Sequence, residues 1–289
     1  MPEPRVCAVV AAYQPSVPLS DLVQALQRQT DAVVVVDDGS PTPVADLPSG
    51  VEVITSPVNR GIAASLNTGA TWAGQRGASH ILTLDQDSMI DDGYVRQLVS
   101  WWGQAAKQGL RPGAMGPGLL GDVVYRGERV GDLLRVAEVM QSGALFDLQA
   151  LTAAGGFSED LVIDGVDTDV SRRLLGAGYA VLICPLPLRH RLGRTRALHI
   201  LGRTVLLTRH APFRDYYMTR NRLLIAARNW HQDRRFALGL LRRTAVAIGL
   251  TLIFDRPRRA KSAAIAHGVR DALRGVTGPL PGPQRERWS

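Results

Sequence analysis

Two carboxylates one residue apart, Asp85 and Asp87 with Gln86 between them, close the run His80-Ile81-Leu82-Thr83-Leu84. A strand that ends in such a pair presents hard oxygen ligands at a sheet edge. Hard oxygens suit Mg²⁺ or Mn²⁺, and such a cation keeps coordination positions for substrate phosphates. A nucleotide diphosphate is therefore the first substrate class to test. The competing reading is a turn with a helix cap, because Asp is a good N-cap. A second pair, Asp37-Asp38, follows the run 32–36 and precedes Gly39-Ser40. Carboxylates accept well from a base N–H or from ribose hydroxyls, although Asp-Gly is also a common turn pair. A third group, Asp164, Asp167 and Asp169, opens a helical pattern. Acids at that end are favoured by the helix dipole. Crowded together and partly buried, they also repel each other, which raises a carboxylate's pKa toward the range of a general base.

Weaker signals lie around these three. Asn59-Arg60-Gly61, with Asn67 and Gly69 beyond, joins a loop to a helix. Its Gly lets backbone approach a ligand and its Arg can meet phosphate; a helix with a small-residue face is the plainer reading. His190 follows a strand and is a candidate third metal ligand. Arg220 and Arg222 sit on a helical pattern whose aromatic members, Phe213, Tyr216 and Tyr217, read as packing. The two arginines are candidates for phosphate on an acceptor.

The elements that must position these groups alternate. Residues 6–12, 32–36, 51–54 and 80–84 read as strands, and 19–28 and about 61–76 as helices. Continuous apolar strands alternating with helices predict a parallel sheet covered on both faces, with ligands beyond the carboxyl ends of its strands. Both acidic pairs fall at such ends. The Gly-rich middle, 103–156, offers possible strands at 114–120 and 141–146; a helix at 167–177 and a strand at 179–184 follow. From about 212 the pattern is helical and basic, with Pro212 suited to a helix start. Residues 235–254 are apolar apart from Arg242-Arg243, and 276–289 read as a frayed tail.

The 289 residues suffice for one large domain with an appendage. Cys7 and Cys184 lie in apolar runs and read as buried thiols of a reducing compartment. The N-terminus lacks a signal-peptide pattern, and no stretch reaches the roughly 18 uninterrupted apolar residues of a membrane span. The net charge of +8 is unevenly placed. Residues 1–188 carry 12 Lys/Arg against 21 Asp/Glu, and residues 189–289 carry 22 against 5. The basic third points to an anionic surface, nucleic acid or acidic lipid. The acidic remainder disfavours nucleic acid. A nicotinamide-dependent oxidoreductase needs a Gly-x-Gly-x-x-Gly turn after the first strand, where this chain has Ala11-Ala12-Tyr13-Gln14-Pro15. A nucleotidyltransferase would share the acidic metal site, but the Gly- and Arg/Lys-rich phosphate loop it needs is also missing.

Taken in order, these segments resemble the family 2 inverting glycosyltransferases of GT-A fold. The likeness runs through Val9-Val10-Ala11-Ala12-Tyr13, Val35-Val36-Asp37-Asp38-Gly39-Ser40, 59–67, Asp85-Gln86-Asp87, Gln141-Ser142-Gly143-Ala144-Leu145-Phe146 and 161–169. Within the family it is most similar to bacterial rhamnosyltransferases of cell-surface polysaccharide synthesis, through Leu84-Asp85-Gln86-Asp87-Ser88 and 268–275. Two positions depart from the family pattern: Val166-Asp167 stands where many members have Glu-Asp, and Ala272 where many have Gly. The resemblance implies an α/β, Rossmann-like catalytic domain with a mostly parallel sheet over 1–210. A basic helical region over 211–275, associated with a membrane surface, and a flexible tail over 276–289 complete the expected organisation. It implies Asp167 as base, with Asp164 and Asp169 in support. Ala11, Tyr13, Asp37, Asp38, Asn59, Arg60, Gly61, Asn67, Asp85 and Gln86 would hold the nucleotide. Asp85, Asp87 and His190 would hold Mg²⁺ or Mn²⁺, and Gly143 and Arg220 would meet the acceptor. The implied donor is dTDP-rhamnose, with galactose-, glucose- or N-acetylglucosamine-type donors as alternatives. The implied acceptor is a lipid-linked saccharide or glycan, and the implied location is the cytoplasmic face of the plasma membrane.

Overall fold

The computed structural model describes residues 4–119, 124–190, 195–200, 203–208, 210–282 and 288. Its contacts divide the chain into two units, Met1–Glu159 with Val166–Arg191, and Asp160–Gly165 with Leu192–Ser289. The division falls near 191, earlier than the expected 210, and assigns 160–165 to the second unit.

The first unit opens with the expected alternation: β1 (Val6–Ala12), α1 (Ser20–Gln27), β2 (Ala32–Asp37), β3 (Glu52–Thr55), α2 (Ile62–Gln75) and β4 (His80–Asp85). Val33 to Val36 are all buried, as an inner parallel strand covered on both faces requires. Gly69 explains how α2 lies so close to β1: a Cβ there would sit 2.2 Å from Val9 Cγ1. The small-residue reading of that segment is the one its packing supports.

The unit continues with β5 (Ser88–Met89), α3 (Tyr94–Lys107), β6 (Pro112–Leu119) and a hairpin of β7 (Gly127–Val130) and β8 (Leu133–Val136). Then come β9 (Ala144–Asp147), α4 (Leu148–Ala153), α5 (Val166–Gly176), β10 (Ala180–Pro187) and β11 (Arg189–His190). Nine strands form one sheet in the order β3-β2-β1-β4-β9-β6-β10-β8-β7. The pairings leave β8 and β9 running against the others, so the sheet is mixed and mostly parallel. Both cysteines are free and buried, and burial pushes the Cys184 thiol up to about 12, so neither is a reactive thiolate.

The second unit holds a hairpin, β12 (Thr195–Ile200) with β13 (Arg203–Thr208), and three helices: α6 (Pro212–Arg228), α7 (Arg234–Phe254) and α8 (Arg258–Leu273). Helices α6 and α8 meet closely at Gly268, where a Cβ would lie 2.7 Å from the Tyr216 carbonyl oxygen. Their core takes in Val162, Tyr216, Tyr217 and Ala264. It also takes in Leu280 and Trp288, so the expected frayed tail is corrected at those positions. The aromatic cluster supplies an apolar seat, and the Leu280 amide donates to the Tyr217 hydroxyl at 2.7 Å. Lys261 is buried between Asp215 (2.6 Å) and Asp255 (3.0 Å) and ties the start of α8 to α6. Among the described residues one helix, α7, is long and apolar enough to cross a membrane by length and composition.

Candidate active site

Register alone assembles the first part of the site. Strand β1 pairs with β2 so that Ala12 lies opposite Asp37, and with β4 so that Ala11 lies opposite Asp85. The Tyr13 amide donates to Gln86 Oε1 at 2.7 Å, which ties the end of β1 to the turn after β4. Ala11, Tyr13, Asp37, Asp85 and Gln86 therefore share one carboxyl edge of the sheet.

The two aspartates after β2 do different things. Asp37 is fully buried, and its Oδ1 accepts from the Ser40 amide at 3.0 Å. Its Oδ2 is buried with no hydrogen-bond partner. A solitary buried acceptor is costly unless a ligand supplies a donor. Asp38 instead accepts from the amides of Arg60 (2.8 Å) and Gly61 (2.7 Å) at the start of α2. Both its oxygens are engaged in holding that loop, so its contribution to the site is the shape of 59–61. The turn needs Gly39, whose φ is 73° and whose Cβ would meet the Val58 carbonyl carbon at 2.7 Å. Asn59 is held against the same turn, its amide nitrogen 2.9 Å from that Cβ position.

Around β4 the chain orients the Asp-x-Asp pair from behind. Gln141 Nε2 donates to Asp85 Oδ1, and the Asp85 amide donates to Ser142 Oγ at 3.0 Å. Ser142 Oγ lies 2.6 Å from Ser88 Oγ. Strand β11 pairs with β5 so that His190 lies opposite Ser88, one residue beyond Asp87. Among the described residues no three His, Cys, Asp or Glu side chains converge into a ready-made cluster. The donor set is two carboxylates, with Gln141 fixing one of them, which suits a hard cation completed by substrate oxygens.

The third group of acids separates on inspection. Asp167 lies in the first turn of α5 and is partly buried. Thr168 Oγ1, next to it, donates to Glu138 at 2.8 Å. Burial pushes the Tyr125 hydroxyl up to about 12, and Asp167 and Glu138 push it the same way, so the phenol stays protonated beside the two acids. The supporting roles expected of Asp164 and Asp169 are corrected. Asp169 is buried and accepts from Ser158 Oγ and from Arg173 Nε at 2.8 Å. Asp164 belongs to the second unit, where Arg214 grips both its oxygens at 2.6 and 3.2 Å. Each has an arginine matched to it, so the repulsion that sequence spacing implied is offset.

Three further expectations change. Asn67 accepts from the Phe157 amide (2.8 Å) and donates to the Phe157 carbonyl and to Glu159, and Arg60 pairs with Glu159 at 2.6 Å. Both clamp 157–159, so the role the structure gives Asn67 is to hold that segment. Gly143 is a packed turn residue with φ 76°, its carbonyl taken by the Tyr94 hydroxyl at 2.7 Å, so it does not meet an acceptor. Arg220 is 1% exposed. It donates to the Gly278 carbonyl at 2.6 Å and to the carbonyls of Asp160 and Leu161 at 3.3 Å. Its guanidinium lies 4.9 Å from the Tyr217 ring centre. An arginine so placed is a structural hub, not an acceptor contact. Arg220→Met is expected to lower stability by ~3 kcal/mol, because it leaves several buried carbonyls without donors. Urea unfolding checks this; an acceptor contact would instead raise KM with the midpoint unchanged.

Sequence reasoning missed Tyr125, Glu138 and the orienting role of Gln141. Gln141 stood inside a segment singled out by resemblance, but nothing in the Gly-rich middle marked Tyr125 or Glu138.

Comparison with known proteins agrees with this geometry. Residues 7–118 match the family model described as Glycosyl transferase family 2. The dTDP-rhamnosyl transferase RfbF of Shigella flexneri is 27% identical over 300 residues, spanning 95% of this chain and 97% of its own. Among solved structures, S. aureus TarS 1-349 in complex with UDP-GlcNAc matches with TM-score 0.60 at 13% identity, over 94% of this chain and 81% of that one. GalNAc-T7 with UDP, GalNAc and Mn²⁺ matches with TM-score 0.53 at 14% identity, over 64% of this chain, which spans only 43% of that longer protein. The structural likenesses concern the fold. The strand-end carboxylates, the mixed sheet and the sequence match agree: over residues 7–118 the chain is similar to glycosyltransferase family 2, and it has an α/β, GT-A-like fold.

Proposed function

We propose that this glycosyltransferase moves rhamnose from a nucleotide-diphosphate donor, dTDP-rhamnose, to a saccharide acceptor by inverting displacement. The observation that carries the nucleotide reading is the buried, partnerless Oδ2 of Asp37 at the carboxyl edge it shares with Asp85. Asp37 accepts an N–H of the base, and the loop shaped by Asp38 borders the nucleotide. Asp85 and Asp87 would hold a divalent cation, which neutralises charge on the departing diphosphate when bound. Asp167 takes the proton of the attacking acceptor hydroxyl as the new C1–O bond forms and the C1–O bond to phosphate breaks on the opposite face. Tyr125, protonated, can donate to the acceptor, and Glu138 keeps Thr168 in place beside the base.

The choice of sugar rests on the 27% identical relative. The test is a transfer assay across dTDP- and UDP-linked sugars, with a panel of glycan acceptors and with Mg²⁺, Mn²⁺ or chelator. The expected result is turnover with dTDP-rhamnose at least ~10-fold above the other donors, the lower end of what a single methyl-sized difference in a fitted pocket produces. Preference for a UDP-hexose would replace rhamnose while leaving family and fold untouched.

A further inference from the structure

We propose that the second half of α7, bracketed by arginines, is a docking element for a bilayer surface carrying anionic phosphate headgroups. Helix α7 packs on α6; its buried residues are Ala237, Leu240 and Thr244, all in its first half, while Ala247 to Thr251 are half-buried. From Ala245 to Phe254 the helix carries no charge and none of its residues is fully buried. Val246 and Ile253 are 57% and 58% exposed, and Leu252 and Phe254 more than a third. Only 17% of its most apolar 18-residue window is buried. A soluble surface rarely leaves so long an apolar stretch uncovered.

Charge identifies what covers it. Arg242 and Arg243 stand before the apolar stretch and Arg256, Arg258 and Arg259 after it, all exposed. The one acid of 234–260, Asp255, is 2% exposed and paired with Lys261. The face is therefore apolar in the middle and cationic at both margins. That is the composition of an interfacial helix on anionic lipid. A second copy of the chain would set arginine rows against arginine rows in a two-fold pairing. Nucleic acid would leave the apolar centre wet.

Dimensions and charge placement argue for lying in the interface and against crossing. The ten residues from 245 to 254 extend ~15 Å, half of a hydrocarbon core of roughly 30 Å. A full span would carry Arg242 and Arg243 into that core, where guanidinium groups are strongly disfavoured. The Lys261–Asp215–Asp255 cluster fixes the turn after α7, so the arginines following it are held in place before any lipid is met. This inference stands apart from the choice of sugar donor.

Flotation of the full chain on phosphatidylcholine vesicles, with and without phosphatidylglycerol, tests it. Binding is expected on the anionic vesicles, falling at least ~10-fold on the zwitterionic ones or in high salt. Val246→Glu with Ile253→Glu, and separately Arg242→Gln with Arg243→Gln, should each weaken binding by ~10-fold or more while the melting temperature holds, since all four side chains are exposed. The proposal is overturned if no vesicle is bound, or if binding ignores lipid charge and both variant pairs. It is equally overturned if the chain resists alkaline extraction from cell membranes, which would mean that α7 crosses. A dimer in solution abolished by the glutamate pair would show that a second copy covers the face, and would also overturn it.

Discussion

Asp167→Asn is expected to reduce kcat for sugar transfer by ~10³-fold, within the range that a positioned general base contributes. The donor KM should stay within a small factor, because the proposed role of Asp167 is toward the acceptor proton, while Asp37 and the Asp85–Asp87 pair serve the nucleotide. The substitution keeps size and polarity in the first turn of α5 and removes a charge that the helix dipole favours, a loss of ~0.5 kcal/mol. Stability therefore changes little, and a thermal melt separates lost chemistry from lost fold. Glu138→Gln is the paired control. Glu138 accepts from Thr168 and neighbours Tyr125, so its loss should cost far less than that of Asp167. The reverse outcome, full activity in Asp167→Asn and none in Glu138→Gln, would move the base to Glu138.

The contrast between the two acids shows what the chain's pattern could and could not reveal. The strand ends were legible because a buried parallel strand leaves a strong local trace: an unbroken apolar run and then a carboxylate, as in Val33 to Asp37 and Ile81 to Asp85. Helix α7 was equally plain, and Arg242-Arg243 marked the point where its burial stops. The middle was not legible. Strands β7 to β9 are four residues each, in Gly-rich chain, and the pairings that bring β8 to β10 and β9 to β4 join segments far apart in sequence. Side-chain roles that depend on a distant partner were hidden for the same reason. Asn67 meets Phe157 across 90 residues, and Arg220 meets Leu161 across 59. Both looked like polar groups available for a ligand until the segments they clamp were in place. The local spacing of Asp164, Asp167 and Asp169 implied mutual repulsion, whereas Arg214 and Arg173 neutralise the outer two.

Asp37→Asn is expected to weaken nucleotide binding and stabilise the empty protein at once, and the two signs together are diagnostic. In the native chain Asp37 Oδ1 accepts from the Ser40 amide, while Oδ2 is buried and partnerless. Asparagine can keep the first bond through its own Oδ1 and put an NH₂ where Oδ2 was. That exchange removes a buried formal charge while the new NH₂ stays as unpartnered as the oxygen it replaces; a neutral amide costs less to bury than a carboxylate, a gain of ~1 kcal/mol. In a protein of this size such a gain raises the melting temperature by ~3 °C. The same NH₂ would then face the N–H of a bound base, donor against donor. A site built to accept a hydrogen bond and altered to oppose it discriminates strongly, so the donor KM and the dissociation constant of the nucleoside diphosphate should rise ~100-fold. The acceptor KM should not follow, because Asp167, Glu138 and Tyr125 are unchanged. Calorimetric titration with dTDP and UDP, beside a thermal melt of the empty protein, reads both quantities. A variant that bound nucleotide normally would remove Asp37 from the donor site, and one that melted lower would show that the buried oxygen already has a partner within the fold.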